Sequence, residues 1–194
     1  MADEELRYIT FNTDLGWVGI LGSAAGLQHI TLPQPSAREA LKLLGDSVNY
    51  ATQALHLFKD LMERLRSYLS GHKVNFPDKL DLSRATTFQR EVWKITRLIP
   101  YGETRSYGWV AGQLGKPGAV RAVGQALARN PLSIIIPCHR VIASDGKLGG
   151  YSGGLELKKY LLQLEATSYE KVTAASIEAH IRNKGIKTAG RIST

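Results

Sequence analysis

The sequence predicts an α+β protein: a small N-terminal antiparallel sheet with helices, followed by a mostly helical unit containing a helix-turn-helix. Three observations carry that expectation. Short apolar runs with β-branched or aromatic residues, separated by turn signals, occupy the first 32 positions. Beyond residue 86 apolar residues recur at helical spacing instead. The charge divides the same way: residues 1–83 have 8 Lys/Arg against 10 Asp/Glu, a net −2, whereas residues 84–165 have 12 against 5, a net +7.

Three strands are expected at 6–11, 15–21 and 27–32, joined by the Asn-Thr-Asp and Ala-Ala-Gly turns, a spacing that suits an antiparallel meander. Pro33 and Pro35 stop it, and Ser36-Ala37-Arg38-Glu39 has the form of a capping box opening a short helix. A longer helix over 50–69 places Leu55, Phe58, Leu61, Leu65 and Leu69 on one face, with Gly71 set to end it. That helix reads as a cover for the sheet, and nothing in this third looks catalytic. The Gly, Asn and Pro punctuation of 72–82 reads as a link. A helix then starts at Thr86 or Thr87, with Gln89 placed to reach back to the cap and Phe88, Val92, Ile95 and Leu98 on one face. Two short helices follow at 106–114 and 119–129, joined by Gly115-Lys116-Pro117-Gly118, the outline of a helix-turn-helix. A last helix runs over 155–165, with Leu157, Leu161 and Leu164 as its buried stripe. The expected units are 1–82, with a linker at its end, 83–168, and a basic tail at 169–194.

The length of 194 residues suffices for one large domain or two small ones. No apolar run approaches a membrane span, and the acidic start Met1-Ala2-Asp3-Glu4-Glu5 is unlike a secretory signal. One cysteine cannot form an internal disulfide, which fits a reducing compartment. Five scattered histidines without further cysteines argue against a zinc site. The basic excess, concentrated in the half that holds the cysteine, points to a polyanionic partner.

That cysteine, Cys138, follows the strand-like run Ile134-Ile135-Ile136-Pro137 and sits beside His139. A free thiol is only a few per cent thiolate near neutrality unless a base or a positive field assists it. Neighbouring side chains of a regular strand point to opposite faces. The pair can therefore cooperate only if the chain turns at Pro137 or a water connects ring and sulfur.

The stretch Pro137-Cys138-His139-Arg140-Val141 resembles the active-site signature of the O6-alkylguanine-DNA alkyltransferases, repair proteins that carry an alkyl group from damaged guanine onto their own cysteine. The resemblance runs from about Thr87 to Glu165, with its matches in order. It implies a winged-helix-like DNA-binding domain, no metal and no cofactor. It also implies catalytic roles for Cys138 as nucleophile, His139 as base through a water, Glu165 as holder of the histidine, Tyr107 as proton donor and Asn130 as hinge. Arg121, in Arg121-Ala122-Val123-Gly124, would fill the base stack after the nucleotide is flipped out. Ala119, Ala122, Gln125, Ala126 and Arg129 would lie along DNA with it, small residues making largely sequence-independent contacts. The loop Gly149-Gly150-Tyr151-Ser152-Gly153-Gly154 would form the base pocket with Val141: Tyr151 packing on the base, Ser152 near O6, and carbonyls of Cys138 and Val141 facing the exocyclic amine.

The partner implied is double-stranded DNA containing O6-alkylguanine, bound by a monomer with no role for a membrane. The setting implied is the cytoplasm or nucleoid, or the nucleus of a eukaryote. Three rival readings stand beside this one. A lesion sensor without chemistry would lack the cysteine. A helix-turn-helix regulator would crowd its second helix with base-reading residues, where only Arg121, Gln125 and Arg129 are available. A cysteine hydrolase would have no need of the basic half.

Overall fold

In the computed structural model, which describes residues 5–166, the first two apolar runs form a hairpin, β1 (Arg7–Thr13) and β2 (Gly16–Ser23). The third run, β3 (Gly26–Ile30), adds antiparallel to β2 across a register shift at Leu21/Gly22. The meander is thus present. A two-residue strand that sequence did not suggest, β4 (Thr52–Gln53), extends it by pairing parallel to β1, giving the order β3-β2-β1-β4. The basic tail expected at 169–194 lies outside the described residues.

Helix α1 (Ala37–Leu43) opens where expected, with the Ser36 side chain accepting from the Glu39 amide. Helix α2 (Leu55–Leu69) begins five residues later than its apolar pattern suggested, because Asp46–Tyr50 is a 3-10 turn and Thr52 and Gln53 pair with β1. Phe58, Leu61, Leu65 and Leu69 are buried on its inner face, together with Met62 and Tyr68, whereas Leu55 stays exposed at the first turn.

In the second half, α3 (Thr87–Thr96) starts from a complete capping box between Thr86 and Gln89. It ends before Leu98, which is exposed rather than part of the inner face. Helices α4 (Tyr107–Gln113) and α5 (Val120–Ala128) form the helix-turn-helix. Trp93 on α3 locks it by donating its indole N–H to the Ala126 carbonyl at 2.9 Å. Two short strands, β5 (Arg105–Ser106) and β6 (Val141–Ile142), pair in parallel beside the helices, and α6 (Leu155–Ala166) closes the described chain.

The run Ile134–Ile136, expected as a strand, is a buried turn instead. Ile134 has φ +76°, a left-handed conformation unusual for a β-branched residue, and Ser133 bridges to Ile136 across it. Its apolar character reflects burial from all sides, which a run of isoleucines cannot distinguish from a strand. The stitching lies just upstream. The Ile30 amide of β3 donates to the Pro131 carbonyl at 2.8 Å, and Ile30 bridges to Leu132. A single buried apolar cluster accordingly continues from Ile9 and Phe11 through α2 to Ile136, Cys138 and Leu164. Among the described residues no helix is long and apolar enough to cross a membrane.

Candidate active site

Cys138 opens a 3-10 turn, Cys138–Arg140, immediately after Pro137, so the chain does turn there and the strict alternation of a strand does not apply. The sulfur is almost covered, at 6% exposure for the residue. Asn130, just past the end of α5, reaches both sides of the turn: its amide Nδ2 donates to the Ile136 carbonyl at 2.8 Å and to Cys138 Sγ at 3.3 Å. Its Oδ1 accepts from the Leu132 amide at 2.9 Å. One side chain thereby ties the helix to the nucleophile's turn. Burial pushes the thiol pKa up, and the Asn130 donor and the charge of Lys158 offset this only in part. A resting thiol held that way needs a base.

His139 supplies one. It is fully buried, and its Nε2 lies 2.8 Å from Glu165 Oε1. Desolvation lowers its pKa against the pull of that carboxylate, so the ring is neutral near pH 7. With the proton on Nε2 facing Glu165, Nδ1 carries the lone pair, and that nitrogen is buried with no hydrogen-bond partner among the described residues. Glu165 is itself buried. Burial alone would raise its pKa, but hydrogen bonds from His139 and Arg140 overcome this and bring it down to about 2. Arg140 donates Nε to Oε2 at 2.8 Å and Nη2 to Oε1 at 2.9 Å, and braces itself on the Ile99 carbonyl at 2.7 Å.

This arrangement fixes a pH dependence of stability. Both pKa values fall below their ordinary levels on folding, so the unfolded chain binds more protons at acid pH and stability must drop as pH falls. Loss should begin near the ordinary histidine pKa of about 6.5 and steepen below about 4.5, where Glu165 alone accounts for roughly 3 kcal/mol. Melting temperatures followed from pH 7.5 to 3 check this. A flat profile between pH 7 and 5 would mean that His139 is not buried in its neutral form.

The residues expected to form the base pocket differ in their contacts and exposure. The Gly-rich loop lies close against its neighbours: at Gly149, with φ +67°, a Cβ would sit 2.7 Å from Tyr107 Oη, and at Gly153 one would sit 2.5 Å from Leu32 Cδ1. Tyr107 donates to the Gly150 carbonyl at 3.4 Å, and burial pushes its pKa up, so it remains a phenol. The Tyr151 ring meets His139 edge-on at 6.5 Å, with a buried hydroxyl that has no hydrogen-bond partner among the described residues. Val141 is buried and Ser152 exposed. The carbonyl of Val141 already accepts from Lys158 Nζ at 2.6 Å.

Along α5, Arg121, Ala122 and Gln125 are exposed, as is Arg129 at its C-cap, and Ala119 is half-buried in the 3-10 turn before the helix. Arg121 sits in the first turn and makes no hydrogen bond or ion pair with any described residue. Ala126 is a correction: it is only 3% exposed, packed inward beside Val123 and Leu127 beneath Trp93, and does not share the outer face. Val120, at the start of the helix, is exposed, and the buried face begins at Val123.

Three site residues escaped the sequence reading. Arg140 was visible only as part of a motif. Lys158 reaches the carbonyls of Val141, Leu148 and Gly150, and burial pulls its pKa down to about 8 against the attraction of Cys138. Its seven-residue spacing from Glu165 puts both on one side of α6, a signal that was available. Tyr68 lies in the third that looked free of chemistry, yet its hydroxyl touches both Glu165 and His139.

Comparison with known proteins shows the family. Residues 87–167 match the family described as 6-O-methylguanine DNA methyltransferase, DNA binding domain. A methylated-DNA–protein-cysteine methyltransferase of Mycobacterium tuberculosis is 54% identical over 160 residues, covering 82% of this chain and 92% of that protein. One from Methanosarcina barkeri is 42% identical, covering 82% and 97%. Among solved structures, that of Mycobacterium tuberculosis OGT in complex with DNA superposes with a TM-score of 0.72 at 41% identity, covering 84% of this chain and 94% of that one.

Proposed function

The chain belongs to the methylated-DNA–protein-cysteine methyltransferase family, and from that premise we propose that Cys138 is the acceptor, activated by His139 and Glu165. The protein repairs DNA by direct, irreversible transfer of the alkyl group from O6-alkylguanine to its own cysteine, using each molecule once. The observation that carries the residue assignment is the buried, neutral imidazole of His139, held at 2.8 Å by Glu165 next to the chain's only thiol.

The steps follow from the groups present. Duplex DNA binds along the exposed side of α5 through Ala119, Arg121, Ala122, Gln125 and Arg129, and the lesion is extruded while Arg121 takes its place in the stack. The base enters between Tyr107 and the loop carrying Tyr151, Ser152 and Gly153, facing Val141. His139 takes the thiol proton through a water, and its imidazolium is stabilised by Glu165. The thiolate attacks the alkyl carbon in line: the S–C bond forms as the C–O6 bond breaks, and the electron pair leaves with the base. Tyr107 supplies the proton that neutralises the departing guanine. Asn130 holds thiol and helix in register throughout.

The units 1–82 and 83–168 divide this labour, the second holding the chemistry and the first backing it. We read the active species as a monomer. A thiol that must stay reduced and a chromosomal substrate point to the cytoplasm or the nucleoid. The test is incubation with a duplex containing O6-methylguanine, followed by mass spectrometry of the Cys138 peptide. One added methyl group on that peptide, with repair reaching a plateau at one equivalent of protein, is expected. Repair continuing well past one equivalent would overturn the single-use mechanism, and a methyl group elsewhere would overturn the assignment.

A further inference from the structure

We propose that Tyr68 is a positioning residue of the transfer site: its hydroxyl holds the Glu165 carboxylate so that the His139 proton stays on Nε2. The N-terminal unit then takes part in activating Cys138. This rests on the reading of Cys138, His139 and Glu165 given above.

Tyr68 is the penultimate residue of α2, 1% exposed, and lies 97 positions from Glu165 along the chain. Its hydroxyl donates to Glu165 Oε1 at 2.6 Å, the same oxygen that faces His139 Nε2 at 2.8 Å. The hydroxyl oxygen is also 3.1 Å from Nε2. Phenol, carboxylate and imidazole therefore close a triangle in which every side is within hydrogen-bond reach. The phenol ring has little room to swing away, because Phe76 and Tyr101 meet it edge-on at 5.9 and 6.1 Å. Burial and the adjacent Glu165 charge keep it protonated, so it serves as a donor.

The choice of acceptor gives this bond its consequence. Oε2 is engaged by Arg140 Nε and the Gly102 amide at 3.1 Å, and Oε1 by Arg140 Nη2. A purely structural hydroxyl could be satisfied by any carbonyl nearby. Tyr68 uses the one oxygen that selects the histidine tautomer and later faces the imidazolium. By sharing that oxygen's negative charge it weakens the carboxylate as a base, which leaves the proton on the ring. It also moderates how strongly the carboxylate favours imidazolium. The other ionisable groups near His139 are Arg140, Lys158 on α6, Tyr151 on the Gly-rich loop and Cys138 itself. Arg140 and Lys158 both oppose a positive ring, so Glu165 is the group that favours it and Tyr68 sets how strongly.

The experiment is a pH–rate profile of methyl transfer from duplex O6-methylguanine to Cys138 in the full chain. Tyr68→Phe keeps the ring packing and removes only the hydroxyl. It should slow transfer about three- to tenfold on the acid side of the profile, where more of the ring is already protonated and cannot take the thiol proton. It should also move the acid limb up by about half to one pH unit, because a less shared carboxylate holds imidazolium to higher pH. Tyr68→3-fluorotyrosine, a stronger donor of nearly the same size, should move that limb the opposite way, and it serves should the Phe variant fold poorly. In a Glu165→Gln background, Tyr68→Phe should add little, since its action passes through the carboxylate. A superimposable profile accompanied only by a lower melting temperature would overturn the proposal, as would equal slowing in both backgrounds. Either result leaves Cys138 as acceptor untouched, whereas a wild-type chain whose Cys138 peptide gains no methyl group would overturn the underlying reading instead.

Discussion

Replacing Cys138 with serine should reduce alkyl transfer to an undetectable level while changing duplex affinity by less than about threefold, because charge contacts to phosphate, and not the thiol, set that affinity. Serine fits the space. It is slightly smaller than cysteine, and Asn130 Nδ2, now 3.3 Å from the sulfur, can donate to a hydroxyl oxygen as well. The fold is therefore expected to survive, and what is lost is chemistry. A hydroxyl is far less acidic than a thiol, and a neutral imidazole cannot deprotonate it to a useful extent. Gel-shift titration and single-turnover repair, run side by side, make the comparison. If the serine variant lost DNA binding in step with repair, Cys138 would be a folding residue.

The second large effect concerns Arg121. Its guanidinium is exposed in the first turn of α5 and makes no hydrogen bond or ion pair with any described residue, so removing it has little to disturb in the fold. Tyr107, by contrast, packs over Gly124 one turn further on, where a Cβ would lie 3.8 Å from its ring. Arg121→Ala should slow repair of duplex lesions roughly a hundredfold, the rate equivalent of the few kcal/mol that unstacking and unpairing cost. Reaction with free O6-alkylguanine, which has no stack to fill, should stay within about twofold of wild type, as expected of a surface substitution. Equal slowing on both substrates would assign Arg121 a structural role.

What the sequence revealed, and what it hid, follows the range of each interaction. Local patterns translated well: Phe58, Leu61, Leu65 and Leu69 are buried along α2, and the Thr86–Gln89 box forms in full. These depend on residues three or four apart. The two-residue strand β4 left no trace because its partner, β1, lies more than forty positions away and two residues make no pattern. The site divides similarly. Cys138, His139 and Glu165 carried the resemblance in their motifs, and the structure brings His139 onto Glu165. Tyr68 did not, being one of eight tyrosines on a helix whose apolar stripe fully accounted for it. Ala126 was misplaced because its small side chain suits close approach to DNA and close packing under Trp93 equally, and the indole bond to its carbonyl decides for packing.

The bond from Ile30 to Pro131 turns an amide of the N-terminal sheet into a reporter on the far half of the molecule. Pro131 follows Asn130, whose amide sits against the sulfur that receives the alkyl group. A carbon added in that close-packed space must push on Asn130, and overpacking of this kind typically costs about 1–3 kcal/mol. The spent molecule should then release the Ile30 proton to deuterium faster than the fresh one, while amides in the middle of β1 and β2 keep their protection longer. Hydrogen exchange at a single residue more than a hundred positions from the thiol would thus distinguish used protein from unused. It would also show where the damaged molecule first loosens on its way to being cleared.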